Sequence, residues 1–382
     1  MCGTWMQRIG QSWLVLSLTG SGTAVGLVVA FQYLPVLILG PYGGVIADRF
    51  EKRKVLFFTQ SISGLLALVL GILVVTKTAE VWMVYALASC LGLVDSIDSP
   101  TRQIFIHEMV GSDKIKNAVT LNGILANVGK VVGPAIAGII IATVGIAACF
   151  FLNSISFLAV LFCLFLMNDQ ELNIAEPVEQ TGSQLIKGFN YIRRTPIILN
   201  MLIMAAIVGM LTYEFQVSLS LLAKFTFQGN AKSYAILMSA MGVGSIIGGL
   251  VTASRKNAGP VSFSWAGIAF GLTVLGASLS PNLMISAFFL MLAGASAITF
   301  SAIGNTTVQL SSEPGMRGRV MAFWTVAFLG TTPIGGPVVG WIGEHINPRS
   351  SLAIGGIAAL VAGVYGLLVF NRKKSQTEQI NI

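Results

Sequence analysis

GGVIADRFEKRK, residues 43–54, places six charges in the seven positions from Asp48 to Lys54, in a chain that is only 10% charged and 54% hydrophobic. Apolar runs flank it on both sides, at 24–46 and 55–76. Each run is about the length an α-helix, rising about 1.5 Å per residue, needs to cross a hydrocarbon core about 30 Å thick. A charge cluster held between two such runs reads as a tight loop at a membrane surface.

The same pattern extends outward along the chain. Further apolar runs lie at 1–18, 81–106, 115–143 and 147–167, then at 197–222, 234–253, 261–279, 283–309, 320–343 and 351–370. With a mean hydropathy of +0.81, the 382 residues offer too little polar surface to cover a water-soluble globule. Backbone groups in lipid must bond within the protein, and runs that are continuous rather than alternating require helices rather than a barrel. The expected fold is an all-α membrane protein of two six-helix bundles. The first covers 1–167 and the second 197–370, joined by a cytoplasmic linker at 168–196 and followed by a cytoplasmic tail at 371–382. In the linker, Leu185, Ile186, Phe189 and Ile192 recur at helical spacing opposite the charges, the pattern of an amphipathic interfacial helix. The first run is short and already contains Gln7, Arg8 and Gln11, so helix 1 reads as truncated at its N-terminus.

Basic residues set the orientation, because short cytoplasmic loops retain Lys and Arg. Arg49, Lys52, Arg53, Lys54, Lys114, Lys116, Lys187, Arg193, Arg194, Arg255, Lys256, Arg317, Arg319, Arg372, Lys373 and Lys374 fall on one side. Lys77, Lys224, Lys232 and Arg349 fall on the other, which places the C-terminus in the cytoplasm. This scatter between spans is unlike the single basic face of a nucleic-acid binder. Cys2, Cys90, Cys149 and Cys163 have no metal-ligand spacing and read as buried thiols. His107 and His345 lie at opposite membrane faces, and no GxxxxGK[ST] occurs, so neither an enzyme nor an ATP-driven pump is indicated. The halves also repeat: GGVIA at 43–47 returns as GGLVT at 248–252, and GPAIAG at 133–138 as GPVVGW at 336–341.

These residues resemble a known family. GGVIADRFEKRK is similar to the loop between helices 2 and 3 of the major facilitator superfamily, with Gly44, Asp48, Arg49, Lys52 and Arg53 matching and Glu51 standing where many members have Gly. GTWMQRIGQSWLVLSLTGS, DSIDSPTRQ and PGMRGRVMA resemble its twelve-helix drug:proton antiporter group, which includes macrolide efflux pumps and the enterobactin exporter. GKVVGPAIAG is similar to the helix 5 antiporter motif at Gly129, Gly133, Pro134 and Gly138, with Ala137 where that pattern has Gly. The resemblance implies the major-facilitator fold, with helices 1, 4, 7 and 10 lining a central cavity. It also implies that Asp48 latches onto the start of helix 11 near Arg319 in one transport state.

Charges inside spans cost at least about 2.5 kcal/mol by insertion scales and are candidates for function by default. Asp98 and Arg102 have the i, i+4 spacing of a pair near the cytoplasmic end of helix 4, and Asp95 lies deeper. Arg8 falls near mid-bilayer, and Glu214 occupies the matching position in the second half. Arg8, Asp95, Glu214, Lys130 and Asn305 are therefore the expected cavity and proton-coupling residues, with Asn127 and Gln309 as further polar points. Trp5, Trp13, Phe31, Tyr213, Phe215, Phe300 and Trp324 supply aromatic surface. Such a cavity suits amphipathic small molecules. The expected protein is a monomeric, multi-pass cell-membrane transporter that exchanges protons for substrate and uses no cofactor, metal or nucleic acid. Uptake, facilitated transport and a non-transporting receptor or scaffold remain as alternatives.

Overall fold

The computed structural model describes residues 1–168, 172, 184–253, 259–313 and 316–380, without the side chains of 41–45, 47, 48, 112, 113, 116, 119, 120, 124, 126, 127, 184–186, 329 and 372–380. The chain forms two compact units, Met1–Gln180 and Thr181–Ile382. The first contains α1 (Cys2–Thr19), α2 (Gly22–Arg49), α3 (Lys52–Val75), α4 (Val81–Thr143) and α5 (Ile146–Leu166). The second begins with α6 (Gln184–Arg194), α7 (Pro196–Leu211), α8 (Phe215–Leu221) and a π-helical turn, Leu222–Thr226. It continues through α9 (Ala231–Ala253), α10 (Pro260–Leu279), α11 (Leu283–Leu310), α12 (Arg317–Leu329), α13 (Thr332–His345) and α14 (Pro348–Ile380).

Eleven stretches among the described residues are long and apolar enough to span a bilayer. Their outer surfaces stay apolar, with Phe58, Phe162, Leu250 and Trp265 all largely exposed. Lipid solvates these side chains as well as a protein core does, so nothing drives them inward. The same reason corrects the reading of the thiols: Cys149 is buried, whereas Cys90 and Cys163 face outward from their spans.

Three boundaries differ from those expected. The loop placed between 106 and 115 is helical apart from Gly111, whose φ of 70° and ψ of 176° suit glycine alone, so α4 is two arms hinged at one residue. The run at 197–222 breaks between Leu211 and Phe215, and the run at 320–343 between Leu329 and Thr332.

Close backbone approach at glycine holds each unit together. A Cβ at Gly92 would strike the Gln32 carbonyl of α2, and one at Gly294 the Met241 carbonyl of α9. Likewise Gly133 seats α1, with a Cβ there falling 2.7 Å from Trp5 Cβ, and Gly335 seats α7 against the Met210 carbonyl. Equivalent helix pairs thus meet at equivalent glycines in the two units, as duplication requires.

The linker helix α6 lies on α12. A Cβ at Gly188 would lie 3.0 Å from Arg319 Cβ, the Phe189 and Phe323 rings are 6.2 Å apart, and Ile192 is buried. The side chains of Leu185 and Ile186 lie outside the described residues.

Candidate functional site

Three polar clusters stand out against the apolar spans. In the first, α1 carries Trp5 and Arg8 three residues apart, on one helix face. Arg8 Nη2 lies 4.0 Å from Asp95 Oδ2, and its Cζ sits 5.0 Å from the Trp5 ring and 5.6 Å from that of Tyr33. Lys130, from the second arm of α4, brings its Nζ to 6.0 Å from Trp5. Gly129 and Gly133 of the antiporter-like motif are what allow α1 to come this near, Gly129 facing Met1 and Gly133 facing Trp5. Pro134 and Gly138 are buried in the same helix, so the motif here acts as a seat for α1.

The second cluster joins α3, α4 and α5. Asp98, 2% exposed, accepts hydrogen bonds from Thr59 Oγ1 at 2.7 Å and Gln60 Nε2 at 2.7 Å, and pairs with Arg102. Nearby, Lys52 Nζ lies 3.4 Å from Glu108 Oε1, both side chains almost wholly buried. Arg53 caps α5, donating from Nε to the Leu164 carbonyl at 2.8 Å and from Nη2 to the Phe165 carbonyl at 3.1 Å. A cation at a helix C-terminus satisfies carbonyls that have no partner within the helix. Lys54 pairs with Glu51 at 2.6 Å, and Arg49 is exposed. Gly44 belongs to α2. The side chain of Asp48 lies outside the described residues, and Lys52, one turn beyond it, is engaged by Glu108.

Removing the Asp98 carboxylate would strand two buried donors and an arginine. Asp98→Ala is therefore expected to cost about 3 kcal/mol, and Asp98→Asn less, because the amide oxygen still accepts one bond. Thermal unfolding in detergent checks this: Asp98→Ala should lower the midpoint well below that of Asp98→Asn, and equal midpoints would refute the network.

The third cluster lies in the second unit, where both interrupted spans meet. Thr212 donates to the Gly355 carbonyl of α14 at 2.7 Å, and Tyr213 Oη to the Ala297 carbonyl of α11 at 2.9 Å. These side-chain hydroxyls tie the break in α7 to two neighbouring helices. Glu214 then N-caps α8, with φ of −81° and ψ of 40°, and is 2% exposed. Its carboxyl group takes a hydrogen bond from Thr332, the first residue of α13, while Oε1 has no hydrogen-bond partner among the described residues. Gly335 lets α13 come this close, since a Cβ there would lie 3.2 Å from Glu214 Oε1.

Arg8, Asp95 and Lys130 are thus gathered in the first unit, where Asp98 and Arg102 of α4 are held against α3. Glu214 belongs to a separate cluster in the second unit. Asn305 accepts from Gln309 Nε2 at 2.6 Å, one turn on towards the end of α11. Asn127 lies outside the described side chains. The aromatic surface expected in the second half is instead packed core: Phe263 and Phe300 stack at 4.2 Å, Tyr213 meets Phe328 at 4.5 Å, and Phe215 and Trp324 are each 4% exposed. Reading the sequence missed Tyr33, Thr59, Gln60, Glu108, Thr212 and Thr332. Adjacent Thr59 and Gln60 in an apolar run were a usable signal; Glu108 was hidden by a boundary set too early. An apolar cavity of about 670 Å³, lined by Ile46, Phe58, Leu93 and Val94 among others, contains none of Arg8, Asp95 or Glu214. Glu51, Lys54 and Thr59 also line it.

Interrupted spans, one of them broken at a buried carboxyl group, are what membrane transporters of helical-bundle architecture display. The profile of the Transmembrane secretion effector family matches residues 1–381, and the chain belongs to that family of the major facilitator superfamily. An MFS-type transporter of Bacillus subtilis, YfiS, is 27% identical over 360 residues, covering 90% of this chain and 85% of that protein. The Staphylococcus aureus staphyloferrin A transporter is 26% identical over 394 residues, covering 99% and 96%. The enterobactin exporter EntS of Shigella flexneri is 25% identical over 367 residues, covering 94% and 83%. Among solved structures, a bacterial homologue of the lysosomal transporter Spinster, inward-facing, matches with a TM-score of 0.73 at 14% identity, over 96% of this chain and 92% of that one. A peptide transporter POT variant bound to sulfate matches with a TM-score of 0.77 at 14% identity, over 97% and 93%. The chain is a multi-pass membrane transporter of small molecules, not an enzyme.

Proposed function

We propose that this transporter exports amphipathic, drug-like or siderophore-like small molecules by alternating access, in exchange for protons. The observation that carries the reading is Glu214, a buried carboxyl group with one oxygen unpartnered among the described residues, where two interrupted spans meet. Broken helices expose backbone dipoles and can re-form around a bound solute or ion, as transporter sites do. Arg8 and Asp95 add an ion pair long enough, at 4.0 Å, to exchange partners during the cycle. Export rather than uptake is supported by the enterobactin exporters among the relatives. The loop at Gly44, Asp48, Arg49, Lys52 and Arg53 serves in this reading as the cytoplasmic gate, with the C-terminus on the same side and a monomer as the working unit.

Inverted membrane vesicles containing the protein provide the test. An acid-inside gradient should accelerate accumulation of an amphipathic dye at least fivefold, and a protonophore should remove the gain. Equal accumulation with and without the gradient would overturn proton exchange, and accumulation only in right-side-out vesicles would overturn export.

A further inference from the structure

We propose that Arg8, Lys130 and the rings of Trp5 and Tyr33 form a binding site for a planar organic anion, a carboxylate, sulfonate or phenolate carried on an aromatic ring. This rests on the transport reading and names its substrate class. The cluster is unbalanced in charge, with two cations against the single carboxylate of Asp95. That carboxylate lies 4.0 Å from Arg8 Nη2, longer than a charge-assisted hydrogen bond. Arg8 Nε is buried with no hydrogen-bond partner among the described residues, so the guanidinium retains a donor that a second oxyanion can take. Trp5 lies beneath both cations, at 5.0 Å from Arg8 and 6.0 Å from Lys130, and Tyr33 covers Arg8 at 5.6 Å. Flat rings flanking a flat cation favour a flat ligand, because stacking is lost when the ligand is bulky.

Exposure narrows what reaches the site. Arg8 is eleven residues from the α1 terminus at Thr19, about 16 Å at helical rise. Lys130 is exposed and Asp95 about a third exposed, and charged ends at that depth face a polar space rather than hydrocarbon. A cationic ligand would meet Arg8 and Lys130 together, and a sugar would find too few hydrogen-bonding groups. An aromatic anion satisfies the spare charge, the free donor and the ring surfaces at once.

The test is calorimetric binding to the full chain in lipid nanodiscs, with empty discs subtracted, using 2-naphthoate and its size-matched cation 1-methylquinolinium. Naphthoate should bind at least tenfold more tightly than the quinolinium. Lys130→Gln should weaken naphthoate fivefold or more, Asp95→Asn should tighten it, and Arg8→Gln should remove it. If Arg8→Gln fails to fold, the other two still decide, because a merely structural pair of residues would not shift affinity in opposite directions. Equal affinity for the two probes, or unchanged naphthoate affinity in both variants, overturns the site. Naphthoate binding without any gradient-driven dye flux would sink the transport reading alone, whereas dye flux without naphthoate binding would sink the anion site alone.

Discussion

Glu214→Gln is expected to abolish gradient-driven transport, by at least a hundredfold, while substrate exchange across the membrane without a gradient persists. Glutamine fills the same volume and can still accept from Thr332, so the junction of α7, α8 and α13 keeps its packing. What it loses is a titratable group. At 2% exposure an ionised carboxylate has given up its water, and no cation compensates it among the groups that contact it here. A buried charge so placed costs several kcal/mol and makes the protonation state a strong lever on local structure. A two-state element that responds to protonation is what coupling needs. Proteoliposomes read both quantities in one preparation: counterflow exchange reports binding and gating, and accumulation under an acid-inside gradient reports coupling. Normal accumulation in Glu214→Gln would remove this residue as the proton carrier, and equal loss of exchange and accumulation would make it a structural or substrate-binding group instead.

Gly294→Ala is expected to carry a large folding penalty. Its Cβ would overlap the Met241 carbonyl, which belongs to a helix backbone and cannot swing aside, so α9 and α11 must move apart. Overpacking of this kind costs typically 1–3 kcal/mol, and about 3 or more is expected here because the separation also weakens two bonds. Ser245 Oγ donates to the Gly294 carbonyl at 3.2 Å, and the Thr252 and Thr299 hydroxyls meet at 2.8 Å along the same seam. Gly249→Ala is the matched control, since the nearest atom to its Cβ would be Ile298 Cγ1 at 4.0 Å, an ordinary contact. Unfolding midpoints and membrane yield should drop sharply for Gly294→Ala and stay close to wild type for Gly249→Ala. Similar values for the two would mean that the α9–α11 seam is looser than its geometry implies.

Charge and glycine landmarks were readable because each has a local cost. Arg8, Asp95, Asp98 and Glu214 stand out in apolar runs, and the Gly-Pro pairs at 133–134 and 336–337 mark where helices crowd. Partner choice was less readable. Asp98 has Arg102 at helical spacing, but its bonds to Thr59 and Gln60 cross 39 and 38 positions of sequence. Lys52 pairs with Glu108, a residue that spacing alone placed beyond its span. The break at Thr212 to Glu214 left no trace, for TYEF carries neither Gly nor Pro; the side-chain bonds that tie it to the Gly355 and Ala297 carbonyls reach other helices.

What the chain's own order of residues determined is its solvent and its segmentation: runs of about 20 apolar residues have nowhere to go but lipid, and lipid admits only helices to such runs. Tertiary structure alone decided which polar side chains meet, where α7 and α12 stop short, and that Trp5 lies under both Arg8 and Lys130. The reason is physical. Transfer from water to lipid is summed residue by residue along a segment, whereas a hydrogen bond or an ion pair depends on two atoms arriving together from distant parts of the chain.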